Sequence, residues 1–162
     1  MGAGKLVLAI KLLYDRYKND KKTGLVVICG SNKWLYKQLH GRYPGKITAV
    51  RFTDKMAAYV RMADVFVTKP GGLSTTEGAV LGVPMVHIMS IPGCETRNMR
   101  FFAQYGMSVP VKRIGMGLPN ATDRLLSRAE AEKITENQRK YINSAAAADI
   151  CRLAEKLINN GL

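Results

Sequence analysis

Residues 64–89 read DVFVTKPGGLSTTEGAVLGVPMVHIM and contain two short apolar runs. The runs at 64–69 and 83–89 are rich in β-branched residues, which predicts two buried strands. A Pro-Gly-Gly turn ends the first run, and STTEGAVLG (74–82) predicts a short helix between the two. Two buried strands joined through a helix predict a parallel pair with the helix on one face.

The same alternation of apolar runs and helical patterns continues on both sides of this stretch. Further strands are predicted at 24–30, 46–52 and 107–111, and helices at 5–19, 32–40, 55–63 and 99–106, followed by a helix-rich region at 121–160 with a break near 143–144. We expect Asp54 to cap the helix at 55–63. The pattern predicts an α/β fold, a parallel sheet with helices on both faces, as a single domain over 1–162.

The sequence begins with Met1-Gly2-Ala3-Gly4, a glycine-rich turn that leads directly into a predicted helix. In an α/β domain such a turn normally follows a first strand. We therefore expect a strand before Met1 and interpret the sequence as a fragment of a longer protein.

The charge of the chain is strongly basic and uneven. The net charge is +13 over 162 residues, and residues 1–51 hold 11 Lys and Arg against two Asp. A basic surface attracts nucleic acid, anionic lipid or phosphorylated ligands, although it can also serve solubility alone. No apolar run approaches the ~20 residues that a membrane span needs.

Cysteine and histidine usage argues against a disulfide framework and a metal site. The three cysteines include no C-x-x-C pair, and His40 and His87 lie far apart. A reducing, cytosolic setting fits this pattern. We expect His87, inside an apolar strand, to be a core residue, and Cys94 to be an ordinary thiol because no histidine is near it in sequence.

The turn after the strand at 64–69 carries groups suited to a phosphorylated ligand. Ligands of open α/β sheets bind beyond the carboxyl ends of the strands. Gly71 and Gly72 allow close approach of the backbone, and Ser74 stands where a helix N-terminus favours phosphate. Glu77, expected in the first helical turn, could bind a ribose diol. The alternative is that these residues only cap the helix.

A polar loop, SIPGCETRN (90–98), follows the strand at 83–89. Its Glu95 and Asn98 could bind hydroxyl groups, and Arg97 could meet a phosphate.

The order of these motifs resembles one family. F-T-D-x-M, A-D-V-x-V-T-K-P-G-G, a following Glu, G-V-P and I-P-G-x-E-x-x-N occur in succession within 51–106. This succession is similar to the C-terminal, donor-binding domain of GT-B glycosyltransferases of family 28, such as the monogalactosyldiacylglycerol synthases and processive diacylglycerol glucosyltransferases. The resemblance implies a Rossmann-like sheet, one half of a GT-B fold, whose N-terminal acceptor domain is absent from residues 1–162.

The resemblance also implies a UDP-sugar donor and a role for each matching residue. Phe52 and Thr53 would lie against the uracil, and Glu77 would hold the ribose hydroxyls. The diphosphate would meet the amides and hydroxyl of Gly71, Gly72, Leu73 and Ser74. The sugar would lie near Glu95 and Asn98. The loop that contains Gly2 and Gly4 would face the cleft between the two domains. The family uses no metal or cofactor for UDP, and the resemblance assigns no catalytic residue in this chain.

One position departs from the family's pattern. Cys94 stands where the lipid-glycosylating relatives carry Gln, which leaves the identity of the donor sugar open because a thiol is a weak hydrogen-bonding group. The resemblance further implies a lipid acceptor and a cytoplasmic protein peripheral to an anionic membrane, without a nucleic-acid partner. The alternatives are a fragment similar to UDP-N-acetylglucosamine epimerases and a non-catalytic basic binding module.

Overall fold

The computed structural model describes residues 3–88 and 91–159. The helices are α1 (Ala3–Tyr17), α2 (Lys33–Leu39), α3 (Met56–Arg61), α4 (Gly72–Val80), α5 (Cys94–Gln104), α6 (Ile114–Leu125), α7 (Arg128–Tyr141) and α8 (Ala146–Asn159). The strands are β1 (Leu25–Ile28), β2 (Ile47–Val50), β3 (Phe66–Thr68), β4 (Met85–Ile88) and β5 (Val109–Val111). The predicted α/β alternation and the break near 143–144 are confirmed.

All described strand pairs are parallel, as predicted. β1 pairs with β2, and β4 lies between β3 and β5. The described strands therefore form one sheet of two strands and one of three. A cavity of about 430 Å³ lies between β1 and β3.

The strands differ in how far they are buried. All four residues of β4 are buried, as its largely apolar sequence predicts. β1 and β3 are only partly buried, and Val26 of β1 is 49% exposed. The run at 64–69, which the sequence predicts as a buried strand, is therefore only partly buried as β3, because it borders the open cavity.

Helix α1 packs against the cores of both sheets. Ala9 joins the core formed with Val86 and Ile88 of β4, whereas Ile10 joins the core formed with Leu35 and Leu39 of α2. Neighbouring positions on α1 thus contact different cores, and the helix connects the two sheets across the cavity.

Polar contacts at the C-terminal end of α1 fix it to α6. The Tyr17 hydroxyl donates to Asp123 Oδ1 at 2.7 Å, and Arg16 forms an ion pair with Asp123 Oδ2 at 2.7 Å. Burial raises the pKa of Tyr17 to about 12. Burial also opposes ionisation of Asp123, but the hydrogen bonds from Arg16 and Tyr17 outweigh it and lower the pKa of that carboxyl.

Helix α4 packs closely on β3 and β4 through a glycine. A Cβ at Gly78 would lie 2.7 Å from Met85 Sδ and 3.1 Å from Phe66 Cδ1. Thr75 and Ala79 on the same face are buried. This close contact sets the height of α4 above the sheet and therefore the position of the turn that precedes it.

Three helix starts differ from the sequence-based expectation. Asp54 does not cap α3: its N-cap is Lys55, whose amide donates to Thr53 Oγ1 at 3.0 Å. α4 begins at Gly72, so Glu77 lies in the second turn and not the first. α5 begins at Cys94, so the second half of the predicted loop is helical. The N-cap is Gly71 in α4 and Gly93 in α5, and each helix includes the polar residues that follow its glycine.

His87 is a buried core residue, as expected. It lies in β4 with its side chain fully enclosed, and its Nδ1 is 2.9 Å from Ser108 Oγ. Its ring meets Phe102 edge-on, with 5.6 Å between the ring centroids. Burial lowers the pKa of His87 from 6.5 to about 4.

This lowered pKa makes the stability of the fold depend on pH. Between pH 6.5 and about pH 4 the unfolded chain binds a proton at His87 that the folded chain does not. Above the pKa of His87 in the unfolded chain, neutral His87 contributes fully to the free energy of unfolding. As pH falls from 6.5 to about 4, this contribution is lost and the free energy of unfolding decreases by on the order of 3 kcal/mol. We expect His87→Gln to lose less stability than the wild type in urea unfolding between about pH 7.5 and about pH 4.5. His40→Gln, at an exposed position, is the control; equal losses for the wild type and His87→Gln would contradict the prediction.

Candidate functional site

The turn between β3 and α4 presents free backbone amides at the carboxyl edge of the sheet. Gly71 is the N-cap of α4; its own amide donates to Lys69 O at 2.8 Å, and its carbonyl accepts from Thr75 N at 3.1 Å. The amides of the first three helical residues have no intrahelical acceptor. Within 3–88 and 91–159 none of the three donates a hydrogen bond; they belong to Gly72, Leu73 and Ser74.

These amides form an arrangement that suits an anion. They lie at the positive end of the helix dipole, and the Ser74 hydroxyl adds a fourth possible donor. A Cβ at Gly72 would meet no atom of the described residues within 4 Å, so none of them crowds that side of Gly72. The Gly71 amide is already bonded to Lys69, which leaves Gly71 to shape the turn and not to supply a donor.

Glu77 lies on the solvent side of α4. It is exposed, and Leu73, one helical turn before it, is 81% exposed. The opposite side of the helix carries the buried Thr75, Gly78 and Ala79. The Glu77 carboxylate is therefore available to a ligand that lies along this side of the helix.

The start of α5 lies against the same turn. Asn98 donates from Nδ2 to Pro70 O at 3.0 Å, which joins α5 to the turn after β3. Glu95 accepts from the Ile91 amide through Oε2 at 2.7 Å, so one of its oxygens holds the preceding loop. Cys94 is exposed at the first position of α5, directly after Gly93 at φ 104°.

A second cavity lies at the carboxyl ends of β1 and β2. It is open to solvent and is lined by Gly30, Ser31, Lys33, Arg51 and Phe52. The Phe52 side chain is 79% exposed, which is unusual for an aromatic group without a partner surface.

Two residues of this cavity, Lys33 and Arg51, were not predicted as site residues. The signal was available in the sequence, because Gly30 ends the strand predicted at 24–30 as a glycine turn ends the strand predicted at 64–69. In the structure Gly30 has φ 56°, a conformation that favours glycine. Arg51 directly precedes the predicted Phe52 and places its guanidinium 5.7 Å from the centre of the Tyr36 ring. Both cations can meet an anionic ligand at this edge.

The structure thus brings part of the predicted site together. The turn residues 71–74 and Asn98 lie around the end of β3, and Glu77 follows in the second turn of α4. Phe52 and Thr53 lie at the end of β2 in the other sheet. Gly4 lies in the first turn of α1, and Gly2 lies outside the described residues. The roles implied for these residues remain predictions.

Neither a metal cluster nor a membrane-spanning helix occurs among the residues that the structure describes. No three His, Cys, Asp or Glu side chains there are grouped as metal ligands would be. None of the described helices combines the length and apolar character needed to cross a bilayer.

Comparison of the sequence identifies relatives among lipid glycosyltransferases. The chain is 28% identical to the processive diacylglycerol beta-glucosyltransferase of Bacillus pumilus, over 98% of this chain and 43% of that protein. It is 27% identical to the Bacillus subtilis enzyme of the same name, over 84% of this chain and 36% of that protein. The chain therefore spans less than half the length of these relatives.

Two crystal structures share the fold. The glycotransferase of kitacinnamycin superposes with a TM-score of 0.68 at 22% identity, over 89% of this chain and 38% of its own. Acinetobacter baumannii MurG superposes with a TM-score of 0.66 at 20% identity, over 88% of this chain and 46% of its own. The profile of the glycosyltransferase family 28 C-terminal domain matches residues 2–150. The chain belongs to this family of glycosyltransferase domains, and the resemblance seen in its motifs is confirmed.

Proposed function

We propose that residues 1–162 are the donor-binding domain of an inverting, UDP-sugar-dependent hexosyltransferase that glycosylates a membrane lipid such as diacylglycerol. The observation that carries the proposal is the turn before α4, at the carboxyl end of β3, which holds the Ser74 hydroxyl and three amides that have no acceptor among residues 3–88 and 91–159. This is the position at which an α/β sheet binds a nucleotide diphosphate.

The diphosphate is the part of the donor that the turn suits best. The amides of Gly72, Leu73 and Ser74 would each donate to phosphate oxygens, and the helix dipole would favour the negative charge. No metal is required for this contact. Lys33 and Arg51, in the cavity at the ends of β1 and β2, would add positive charge on the neighbouring side.

The nucleoside would extend between the two regions that the structure describes at this edge. Phe52 offers an exposed ring against which a uracil base can stack. The Glu77 carboxylate can accept hydrogen bonds from both ribose hydroxyls, which is the role that the family resemblance implies.

The lipid acceptor is proposed from the relatives. The Bacillus pumilus and Bacillus subtilis relatives are named for the glucosylation of diacylglycerol. Because this chain spans less than half of each, we assign acceptor binding and the catalytic base to an N-terminal domain in the rest of a longer enzyme. Residues 1–162 alone are then expected to bind the donor without transferring sugar.

The role of Glu77 can be tested with nucleotides that differ in the ribose. Glu77→Ala should weaken UDP binding by ~1–3 kcal/mol, because a charge-assisted hydrogen bond is lost. The affinity for 2′,3′-dideoxy-UDP should hardly change, since this ligand lacks both hydroxyls. Calorimetry with the two ligands, and with AMP and GMP as weaker binders, measures the difference.

Ser74→Ala is the matched variant for the diphosphate. It should weaken UDP and 2′,3′-dideoxy-UDP by the same factor and leave uridine unaffected. If Glu77→Ala instead weakens both nucleotides equally, Glu77 supports the helix and does not hold the ribose. If the wild type binds UDP no better than AMP or GMP, the proposed function itself is wrong.

Cys94 provides a test of where the sugar lies. Cys94→Gln introduces the amide that the family carries at this position, at the exposed start of α5. It should raise the affinity for a UDP-hexose relative to UDP about 5-fold, which corresponds to about 1 kcal/mol for one new hydrogen bond. Cys151→Gln, at the other exposed cysteine, is the control and should not change this ratio. An unchanged ratio in Cys94→Gln would place the residue outside the sugar site.

The basic N-terminal part of the chain provides a test of membrane association. Lys11, Lys18, Lys21 and Lys22 are all exposed, on α1 and in the turn before β1. Each basic residue near an anionic surface contributes about 1 kcal/mol. We expect the domain to co-sediment with phosphatidylglycerol vesicles at about 0.1 M salt, to be released at about 1 M salt, and not to bind phosphatidylcholine. Because the turn holding Lys21 and Lys22 lies where β1 begins, binding through it leaves the carboxyl edge open to the donor.

Charge reversal separates a specific surface from net charge. Reversal of these four lysines to Glu should abolish sedimentation with the vesicles. Reversal of four exposed cations in the C-terminal half changes the net charge equally and should reduce binding far less; these are Lys133, Arg139, Lys140 and Lys156. Equal losses in the two variants would show that net charge alone drives the binding.

A further inference from the structure

Three buried side-chain atoms have no hydrogen-bond partner among residues 3–88 and 91–159. One of them, Gln138 Oε1, belongs to a side chain that donates to Val83 O and Met107 O at the amino ends of β4 and β5. The other two are Thr75 Oγ1 on α4 and His87 Nε2 on β4, whose residues are 1% and 0% exposed. Because native folds pair almost all of their buried polar atoms, two such atoms on adjoining elements indicate a shared partner.

The packing of α4 places Thr75 at the level of His87. A later residue on the same buried side, Gly78, lies against Phe66 and Met85, the first residues of β3 and β4. Because α4 starts at the carboxyl end of β3 and runs back along the sheet, Thr75 lies about 4.5 Å nearer to the carboxyl edge than Gly78. His87 lies on the same side of β4 as Met85 and about 6.6 Å further toward that edge. The hydroxyl and the imidazole therefore share one layer between α4 and the sheet.

Contacts on two sides fix the His87 ring. Its Nδ1 lies 2.9 Å from Ser108 Oγ, and the ring meets Phe102 of α5 edge-on, with 5.6 Å between the ring centroids. Burial lowers the pKa of His87 to about 4, so the ring is neutral at neutral pH and has one donor and one acceptor nitrogen. If Nδ1 donates to Ser108, Nε2 accepts, and if Nδ1 accepts, Nε2 donates. In either case Nε2 has one hydrogen bond still to make.

The Thr75 hydroxyl is also held in place. The amide of the same residue donates to Gly71 O at 3.1 Å, and the close contact at Gly78 sets the distance between the helix and the sheet. The hydroxyl and His87 Nε2 do not form a hydrogen bond with each other. A third group is therefore needed to join them.

Water is the group that fits this position. The joining group must be small, because both residues are enclosed, and it must be able both to donate and to accept. A metal ion is not expected, since within 3–88 and 91–159 no three His, Cys, Asp or Glu side chains are grouped as ligands. Thr68, the register partner of His87 on β3, has its side chain on the same side of the sheet and offers a third partner. Buried water molecules typically make about three hydrogen bonds.

We propose that one internal water molecule is bound between α4 and β4, where it bridges Thr75 Oγ1 and His87 Nε2. It completes a chain of hydrogen bonds from Ser108, beside β5, through His87 of β4 to the fourth residue of α4. The water thereby ties the start of α4 to the sheet, next to the turn at 71–74.

The water can be counted directly. ¹⁷O magnetic relaxation dispersion detects internal water molecules that stay bound for longer than the protein takes to tumble. Thr75→Val replaces the hydroxyl by a methyl group of similar size and should remove one such molecule, and His87→Phe should remove the same one. Thr75→Ser keeps the hydroxyl and should keep the water. Thr76→Val, at the exposed neighbouring position of the same helix, is the matched control and should not change the number.

The sign of the change in the urea midpoint gives a second test. With the water in place, Thr75→Val removes a hydrogen bond and leaves His87 Nε2 unpaired, so the midpoint should fall by roughly 0.5 M. Without the water, the same change would replace an unpaired hydroxyl by a methyl group and would raise the midpoint. In a His87→Phe background the water site is already lost, so Thr75→Val should no longer lower the midpoint.

Three outcomes would overturn the proposal. An unchanged number of internal waters in both Thr75→Val and His87→Phe, together with a lower midpoint in Thr75→Val, would assign a direct hydrogen bond between the two side chains. A higher midpoint in Thr75→Val would show that the hydroxyl has no partner. Loss of a water in Thr76→Val as well would assign the effect to a general change in α4. None of these measurements uses a nucleotide, so the result is independent of the proposed donor function.

Discussion

The packing of α1 against two separate cores is the interaction on which the rest of this structure depends. The two sheets share no strand pairing within the described residues, and α1 places Ala9 in one core and Ile10 in the other. The helix cannot shift easily, because Tyr17 and Arg16 hold Asp123 of α6 at its far end. The relative position of the carboxyl ends of β1 and β3 is thus determined largely through one helix.

The candidate site is an outcome of backbone geometry more than of reactive side chains. Gly78 allows α4 to approach β3 and β4, and this approach places the first turn of α4 at the end of β3. Asn98 then fixes α5 against Pro70 of the same turn. The free amides are a consequence of where the helix begins, so the site requires a correct helix start before it requires any particular side chain. Under the proposed function, such a domain would bind the donor while another domain supplies the chemistry.

The sequence predicts the elements better than it predicts their boundaries. The apolar run at 83–89 is sufficient to predict the buried β4, and the glycines at 71–72 predict the turn that ends β3, where a ligand site remains a prediction. The start of α4 could not be predicted, because glycine is a poor helix former and Gly72 is nevertheless the first helical residue. The exposure of Val26 could not be predicted either. Its β-branched neighbours predict burial. The exposure arises from the cavity beside β1, which no local sequence pattern predicts.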